Sequence, residues 1–201
     1  MRYIGFEGPI GAGKTTLVNA IAERVKATRI LEKADDNPFL GNFYRDKERY
    51  AFQAQIFFLL SRYRQQQEIL QGDLFSDYFL GDYVFSRDTI FARMTLAADE
   101  LDLYFTVYQA LVERVPKPDL VVYLRAQPEL LMDRVRTRAK DYETAMTLDY
   151  LKELVDTYEE FFAHYDEAPL LIIDTDELDY RKDPAALDRV CRKVLDAVPT
   201  I

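Results

Sequence analysis

The chain has 201 residues, of which 49% are apolar, with a formal net charge of −9, one cysteine and one histidine. A chain of this length buries roughly 70% of its extended surface and suits one domain, residues 1–201. The acidic balance repels polyanions and argues against nucleic acid or an anionic membrane as the main partner. A lone Cys191 excludes an internal disulfide and fits a reducing compartment, and a lone His164 leaves no basis for a histidine metal site or a Ser-His-Asp triad.

The first element is a short apolar strand segment, Arg2–Phe6. No stretch approaches the roughly 20 apolar residues of a membrane span, and Met1-Arg2 leads straight into this strand, so a cytoplasmic protein without a signal peptide is expected. Gly8, Pro9, Ile10, Gly11, Ala12, Gly13, Lys14 and Thr15 follow. They fit the phosphate-binding pattern G-x-x-x-x-G-K-[ST]. Its glycines let successive N–H groups face one concavity, its lysine charge meets β- and γ-phosphates, and its hydroxyl, here Thr15, is placed to hold Mg²⁺. Thr16 continues the loop into a helix over 14–26, where Leu17, Val18, Ile21, Ala22 and Val25 recur at helical spacing. Strand, loop and helix are the setting the motif requires, because the helix N-terminus adds partial positive charge. The chain is therefore expected to bind a nucleoside triphosphate.

Further strands are expected at Arg29–Glu32, Tyr78–Gly81, Leu120–Leu124 and Leu170–Asp174, the last two almost wholly apolar, as in strands covered on both faces. Helical segments fall at roughly 43–71, 88–115, 128–138 with 148–163, and 184–197. The last begins with Asp183 as N-cap and Pro184 at the first helical position. Alternation of this kind predicts an α/β fold with a five-stranded parallel sheet wrapped by helices, and ligands beyond the carboxyl ends of the strands. The P-loop alone admits GTPases, ATPases and small-molecule kinases. The guanine-reading Asn-Lys-x-Asp is absent, and the strand at 120–124 runs into Arg125-Ala126-Gln127-Pro128 rather than the Asp-Glu of a motor ATPase.

Several residues beyond the loop are chemically informative. Glu32 stands at the carboxyl edge of the second strand, where a carboxylate within reach of a hydroxyl can act as general base. Gln55 and Arg62 are two helical turns apart and share a face, offering an amide and a donor fork to a base edge. Arg134, Arg136, Arg138 and Lys140 put four cations within seven residues. These repel one another unless an anion comes between them, and a transferring phosphoryl group is such an anion.

From residue 32 onward the chain resembles the deoxyribonucleoside kinase family nearly end to end. The match rests on Glu32, Asn37-Pro38-Phe39-Leu40, Phe43-Tyr44-Arg45-Asp46, Tyr50-Ala51-Phe52-Gln53-Ala54-Gln55, Leu60-Ser61-Arg62-Tyr63, Ile90-Phe91-Ala92 and Pro116-Lys117-Pro118-Asp119. The resemblance implies that Glu32 takes the proton from the sugar 5′-hydroxyl, that Gln55 and Arg62 read the nucleobase, and that Phe91 stacks on it. It implies that Tyr44 and Glu143 hold the 3′-hydroxyl and that the cations belong to an Arg-rich lid over about 134–148. Arg134 and Arg138 would act on the transferring phosphate, with Arg136 and Lys140 on the donor. The loop Asp174–Asp183 would lie against the donor's adenine. Homodimers through the helices at 43–71 and 88–115 are also implied.

The sequence departs from the commonest family pattern, acidic-Arg-Ser. It reads Asp82-Tyr83-Val84-Phe85-Ser86-Arg87, so Tyr83 takes the place of the arginine and Arg87 becomes the candidate to steady the phosphate. This resembles the bacterial deoxyguanosine kinase branch. Asp82 has two open roles, sharing the base function or acting through Mg²⁺. Asp88 adds an acceptor near the base. The expected enzyme is a cytoplasmic kinase moving a phosphate from ATP, with Mg²⁺, to a purine deoxynucleoside, deoxyguanosine ahead of deoxyadenosine. Alternatives are a monophosphate kinase of the thymidylate type and a non-catalytic nucleotide-binding regulator.

Overall fold

Five parallel strands form one sheet in the order β2-β3-β1-β4-β5, with helices on both faces. The computed structural model describes residues 2–72, 75–176 and 183–199. The strands are β1 (Arg2–Glu7), β2 (Ala27–Ile30), β3 (Tyr78–Gly81), β4 (Leu120–Arg125) and β5 (Leu170–Asp174). The helices are α1 (Lys14–Ala22), α2 (Leu40–Arg45), α3 (Lys47–Gln71), α4 (Arg87–Thr95), α5 (Ala98–Val112), α6 (Pro128–Arg138), α7 (Leu148–Ala163) and α8 (Pro184–Asp196).

The expected element order holds, but two long helical segments are broken. The first divides at Asp46, whose backbone is non-helical and whose side chain caps α3 by accepting from the Arg49 amide. The second divides at Leu96 and Ala97, both extended. There the Thr95 hydroxyl donates to the Phe91 carbonyl at 2.7 Å, a local bond of the kind that bends helices. Helix α1 stops at Ala22 rather than 26, because Ala27 must already pair with Tyr78. Strand β2 accordingly ends at Ile30, two residues before Glu32. Asp183 does cap α8, accepting from the amides of Ala185 and Ala186.

Three apolar clusters hold the layers together. The largest packs β1 and β4 against α1, α6, α7 and α8, and includes Ile4, Leu17, Ile21, Leu124 and Tyr158, all without exposed surface, together with Cys191. Tyr123 stacks on Phe162 at 4.3 Å between ring centres. A second cluster joins α2 to α5, and a third gathers Tyr3, Ile30, Ile69, Phe79 and Tyr83 behind β2 and β3. The expectation that β5 is covered on both faces does not hold. It is one of the two edge strands, and Ile172 is 41% exposed.

Candidate active site

The carboxyl ends of β1, β2 and β3 deliver the acidic residues, and the P-loop delivers the cationic end of α1. Gly8 has φ 148°, and a Cβ there would stand 2.4 Å from the Leu124 carbonyl oxygen of β4, so the close approach of loop to strand demands glycine. Gly13, in the left-handed region, caps α1 with no side-chain acceptor. The first-turn N–H groups and their partial charge thus remain at the site. Lys14 folds back along the loop, its Nζ donating to the carbonyls of Gly8 at 2.6 Å and Pro9 at 3.0 Å. Burial, with Arg87 nearby, pulls its ammonium down to about 8.

Parallel pairing of β2 with β3 matches Ile30 to Gly81, so the residues just past both strand ends emerge side by side. Asp82 uses both oxygens: Oδ1 accepts from the Glu32 amide at 2.7 Å and Oδ2 from the Thr15 hydroxyl at 2.6 Å. The Glu32 carboxylate faces two guanidinium groups. Arg62 Nε donates to its Oε1 at 3.0 Å and Arg87 Nη1 to its Oε2 at 2.9 Å. Burial by itself would raise this carboxyl, but the two arginines outweigh burial and hold it at about 2. Glu32 is therefore an ionised acceptor across the working pH range. Arg62 also pairs with the fully buried Asp88. Burial pushes Asp88 up to about 6, against the opposing pull of Arg62.

These groups open onto a cavity of about 450 Å³, lined at one end by Lys14, Thr15, Glu32, Asp82 and Arg87. Its other end is walled by Gln55, Phe58, Phe91, Tyr44, Glu143 and Tyr150. The volume suits a ligand of nucleoside size. Gln55 is buried and donates through Nε2 to the Thr95 hydroxyl at 3.3 Å. That hydroxyl has already given its own proton to Phe91, so it can only accept, which fixes how the amide is turned. Glu143 is buried and accepts from Arg138 Nε at 3.1 Å.

The family model of deoxynucleoside kinases matches residues 4–199. The chain belongs to this family. It is 31% identical over 207 residues to deoxyguanosine kinase of Bacillus subtilis (strain 168), covering 98% of this chain and 97% of that one. The deoxyadenosine/deoxycytidine kinase of the same organism is 28% identical over 199 residues, with 95% and 90% covered. Among solved structures, deoxyadenosine kinase from M. mycoides with bound dATP superposes with a TM-score of 0.84 at 23% identity, covering 97% of this chain and all of that one. The fold is that of the P-loop kinases, and the protein is a phosphotransferase.

Within this deoxynucleoside kinase the four clustered cations do not act as one group. Arg134 is buried against the loop and β5, donating to the Thr175 hydroxyl at 3.2 Å and carbonyl at 3.1 Å. Arg138 pairs with Glu143, and Lys140 with Asp35 at 2.9 Å. Protein carboxylates and carbonyls therefore hold three of them apart, where the sequence suggested that an anion was needed. Arg136 is exposed and lies outside the cavity wall, because one residue in a helical turn faces away from its neighbours at 134 and 138. Asp88 lies behind Arg62 rather than on the wall. Of the loop Asp174–Asp183, residues 177–182 are outside the described residues.

Sequence reasoning missed Glu7. It ends β1, has no exposed surface, and accepts from the Val84 amide at 2.7 Å and the Tyr158 hydroxyl at 3.2 Å, with Arg87 Nε 4.0 Å away. Burial raises this carboxyl. The rule that singled out Glu32, a carboxylate at a strand's carboxyl end, applies equally to Glu7. Tyr142 and Tyr150 were also missed. They reach the cavity only because α7 and the turn before it pack over α2, with Tyr142 stacked on Tyr44.

Proposed function

We propose that this kinase transfers the γ-phosphate of ATP to the 5′-hydroxyl of a purine deoxynucleoside, deoxyguanosine ahead of deoxyadenosine. The observation that carries the reading is Glu32, an ionised carboxylate on the cavity wall between Arg62 and Arg87 with the Lys14 loop beside it. In this reading Glu32 accepts the hydroxyl proton, while Arg87, Arg134 and Arg138 meet charge on the moving phosphoryl group. Gln55 and Arg62 address the base edge, Phe91 its flat side, and Tyr44 with Glu143 the 3′-hydroxyl. Arg62 donates only, which suits the N7 and O6 acceptors of guanine, and the relative named deoxyguanosine kinase covers 98% of this chain.

The loop fits a triphosphate. Glycine at position 8 lets the loop lie against the Leu124 carbonyl of β4, where a Cβ would clash, and the adjoining helix terminus carries no side-chain cap. Thr15 and Asp82 form an oxygen pair suited to Mg²⁺, which takes few protein ligands and keeps phosphates and waters. Among the described residues no group of three or more metal-ligating side chains competes for that role. When bound, the ion would neutralise phosphate charge. The segment 134–148 serves as a lid within one domain, braced internally by Arg138–Glu143 and tied to the turn after β2 by Lys140–Asp35. Leu60 on α3 and Leu103 on α5, 40% and 53% exposed, suit a homodimer surface. No helix among the described residues is long and apolar enough to cross a membrane.

The deciding experiment is a panel of deoxynucleosides and their monophosphates with ATP and Mg²⁺, reading kcat/KM for each. Deoxyguanosine and deoxyadenosine are expected to lead. Deoxycytidine or thymidine outcompeting both purines overturns the purine reading, and turnover of monophosphates alone overturns the acceptor class.

A further inference from the structure

Tyr83 lies behind the acidic pair rather than on the cavity wall. It follows Asp82 directly, has no exposed surface, and packs with Tyr3, Ile30, Ile69 and Phe79. Its hydroxyl donates to Oε1 of Gln65 at 2.9 Å, and Nε2 of Gln65 donates to the Leu31 carbonyl at 2.9 Å. Leu31 precedes Glu32, whose amide donates back to Asp82 Oδ1 at 2.7 Å. Asp82, Tyr83, Gln65, Leu31 and Glu32 thus form a closed ring of side-chain and backbone links.

Chemistry selects a neutral amide at position 65. The phenol, acting as donor, needs an acceptor, and the carbonyl needs a donor, and one glutamine supplies both. A carboxylate there would set oxygen against the Leu31 oxygen, and an apolar side chain would leave that carbonyl without its partner. The location matters because β2 ends at Ile30. Leu31 and Glu32 have left the strand ladder, so sheet pairing no longer fixes the backbone that carries the Glu32 carboxylate. Helix α3 grips this segment twice, through Gln65 on the main chain and, one helical turn away, through Arg62 on the carboxylate. The adjacent Gln66 ties the same turn of α3 to the Tyr3 hydroxyl at 3.1 Å, and that hydroxyl donates to the Tyr83 carbonyl at 3.3 Å.

We infer that Tyr83 and Gln65 are positioning residues that hold the Glu32 backbone beside Asp82, and so aim its carboxylate at Arg62 and Arg87 and lock it to the helix carrying Gln55 and Arg62. Neither lines the cavity. The residue standing where the commonest family pattern has an arginine therefore acts from behind the site, through backbone placement. The inference rests on Glu32 being the general base.

The test compares wild type, Glu32→Gln, Tyr83→Phe, Gln65→Met and the Tyr83→Phe/Gln65→Met double variant for kcat, deoxynucleoside KM and Tm at saturating ATP. Tyr83→Phe removes one oxygen and keeps the ring, so it preserves the packing if Gln65→Met does not fold. Each single variant is expected to lower kcat about tenfold or more, since small misplacements of a catalytic group are costly, with KM within about twofold of wild type. The double variant should be no slower than the slower single one, because both break one circuit. A Tyr83→Phe enzyme with kcat within about twofold of wild type, or losses that multiply in the double variant, overturns the inference. A silent Glu32→Gln removes the base reading and this inference together. A crippled Glu32→Gln beside an unaffected Tyr83→Phe removes this inference alone.

Discussion

The backbone amide of Glu32 donates to Oδ1 of Asp82 at 2.7 Å, so the two strand-end acids have different jobs. Asp82 spends its other oxygen on Thr15, whereas the Glu32 carboxylate is turned toward the cavity and two guanidinium groups. Glu32→Gln should therefore lower kcat by roughly 10²–10⁴-fold while deoxynucleoside affinity changes little, because the amide oxygen still accepts from Arg62. Steady-state kinetics beside Asp82→Asn checks the assignment. If the Glu32 variant is nearly silent and the Asp82 variant is crippled, the base is Asp82.

Lys14→Ala removes the cation from the loop and should nearly abolish turnover with the fold intact, as judged by circular dichroism. Turnover within about tenfold of wild type would show that this loop is not the donor site, since such contacts supply several kcal/mol.

The same lysine predicts a pH dependence. Burial and Arg87 lower it to about 8, against about 10.4 in an unfolded chain. Between those values the unfolded chain holds a proton that the folded protein has released, so the Lys14 contribution to stability rises with pH across that window. A bound triphosphate favours the ammonium form. ATP affinity should consequently fall as pH rises above 8, and ATP binding should take up a proton there. Calorimetry in buffers of different ionisation enthalpy measures the uptake, and the Lys14→Ala protein should lose it. Uptake unchanged in that variant would assign the proton to another group.

Thr95 touches the Gln55 amide from outside the cavity wall. Thr95→Val takes away the acceptor that orients the amide and should raise deoxynucleoside KM several-fold with kcat nearly unchanged, a loss of about 0.5–1.5 kcal/mol for one hydrogen bond. Thr95→Ser should restore wild-type KM. Equal KM in the valine and serine variants would show that the hydroxyl does not orient Gln55.

Gly8→Ala places a methyl group 2.4 Å from the Leu124 carbonyl oxygen at φ 148°. The strain should lower stability by about 1–3 kcal/mol and raise KM for ATP, because the loop must withdraw from β4. Unchanged Tm and KM would mean that the loop can shift without cost.

The primary sequence by itself determined the phosphate loop, the five-strand alternation and the Asp183 cap of α8. Each is written in a contiguous stretch whose spacing or residue types admit few local conformations. It also brought Glu32, Gln55, Arg62 and Arg87 into one reading, and the fold gathers all four around one cavity. The helix breaks at Asp46 and Leu96 were not legible, because apolar periodicity continues across both and local side-chain bonds decide them. The separate fates of Arg134, Arg136, Arg138 and Lys140 depended on which partner each helical direction met. Glu7 and Tyr158 are 151 positions apart and meet only because α7 packs beside β1. Periodicity reports which face of an element is buried, but not what that face will touch. Partner identity is a long-range property, and here the sheet order and the β2–β3 register decided it, setting Glu32 beside Asp82 and turning Tyr83 inward to Gln65.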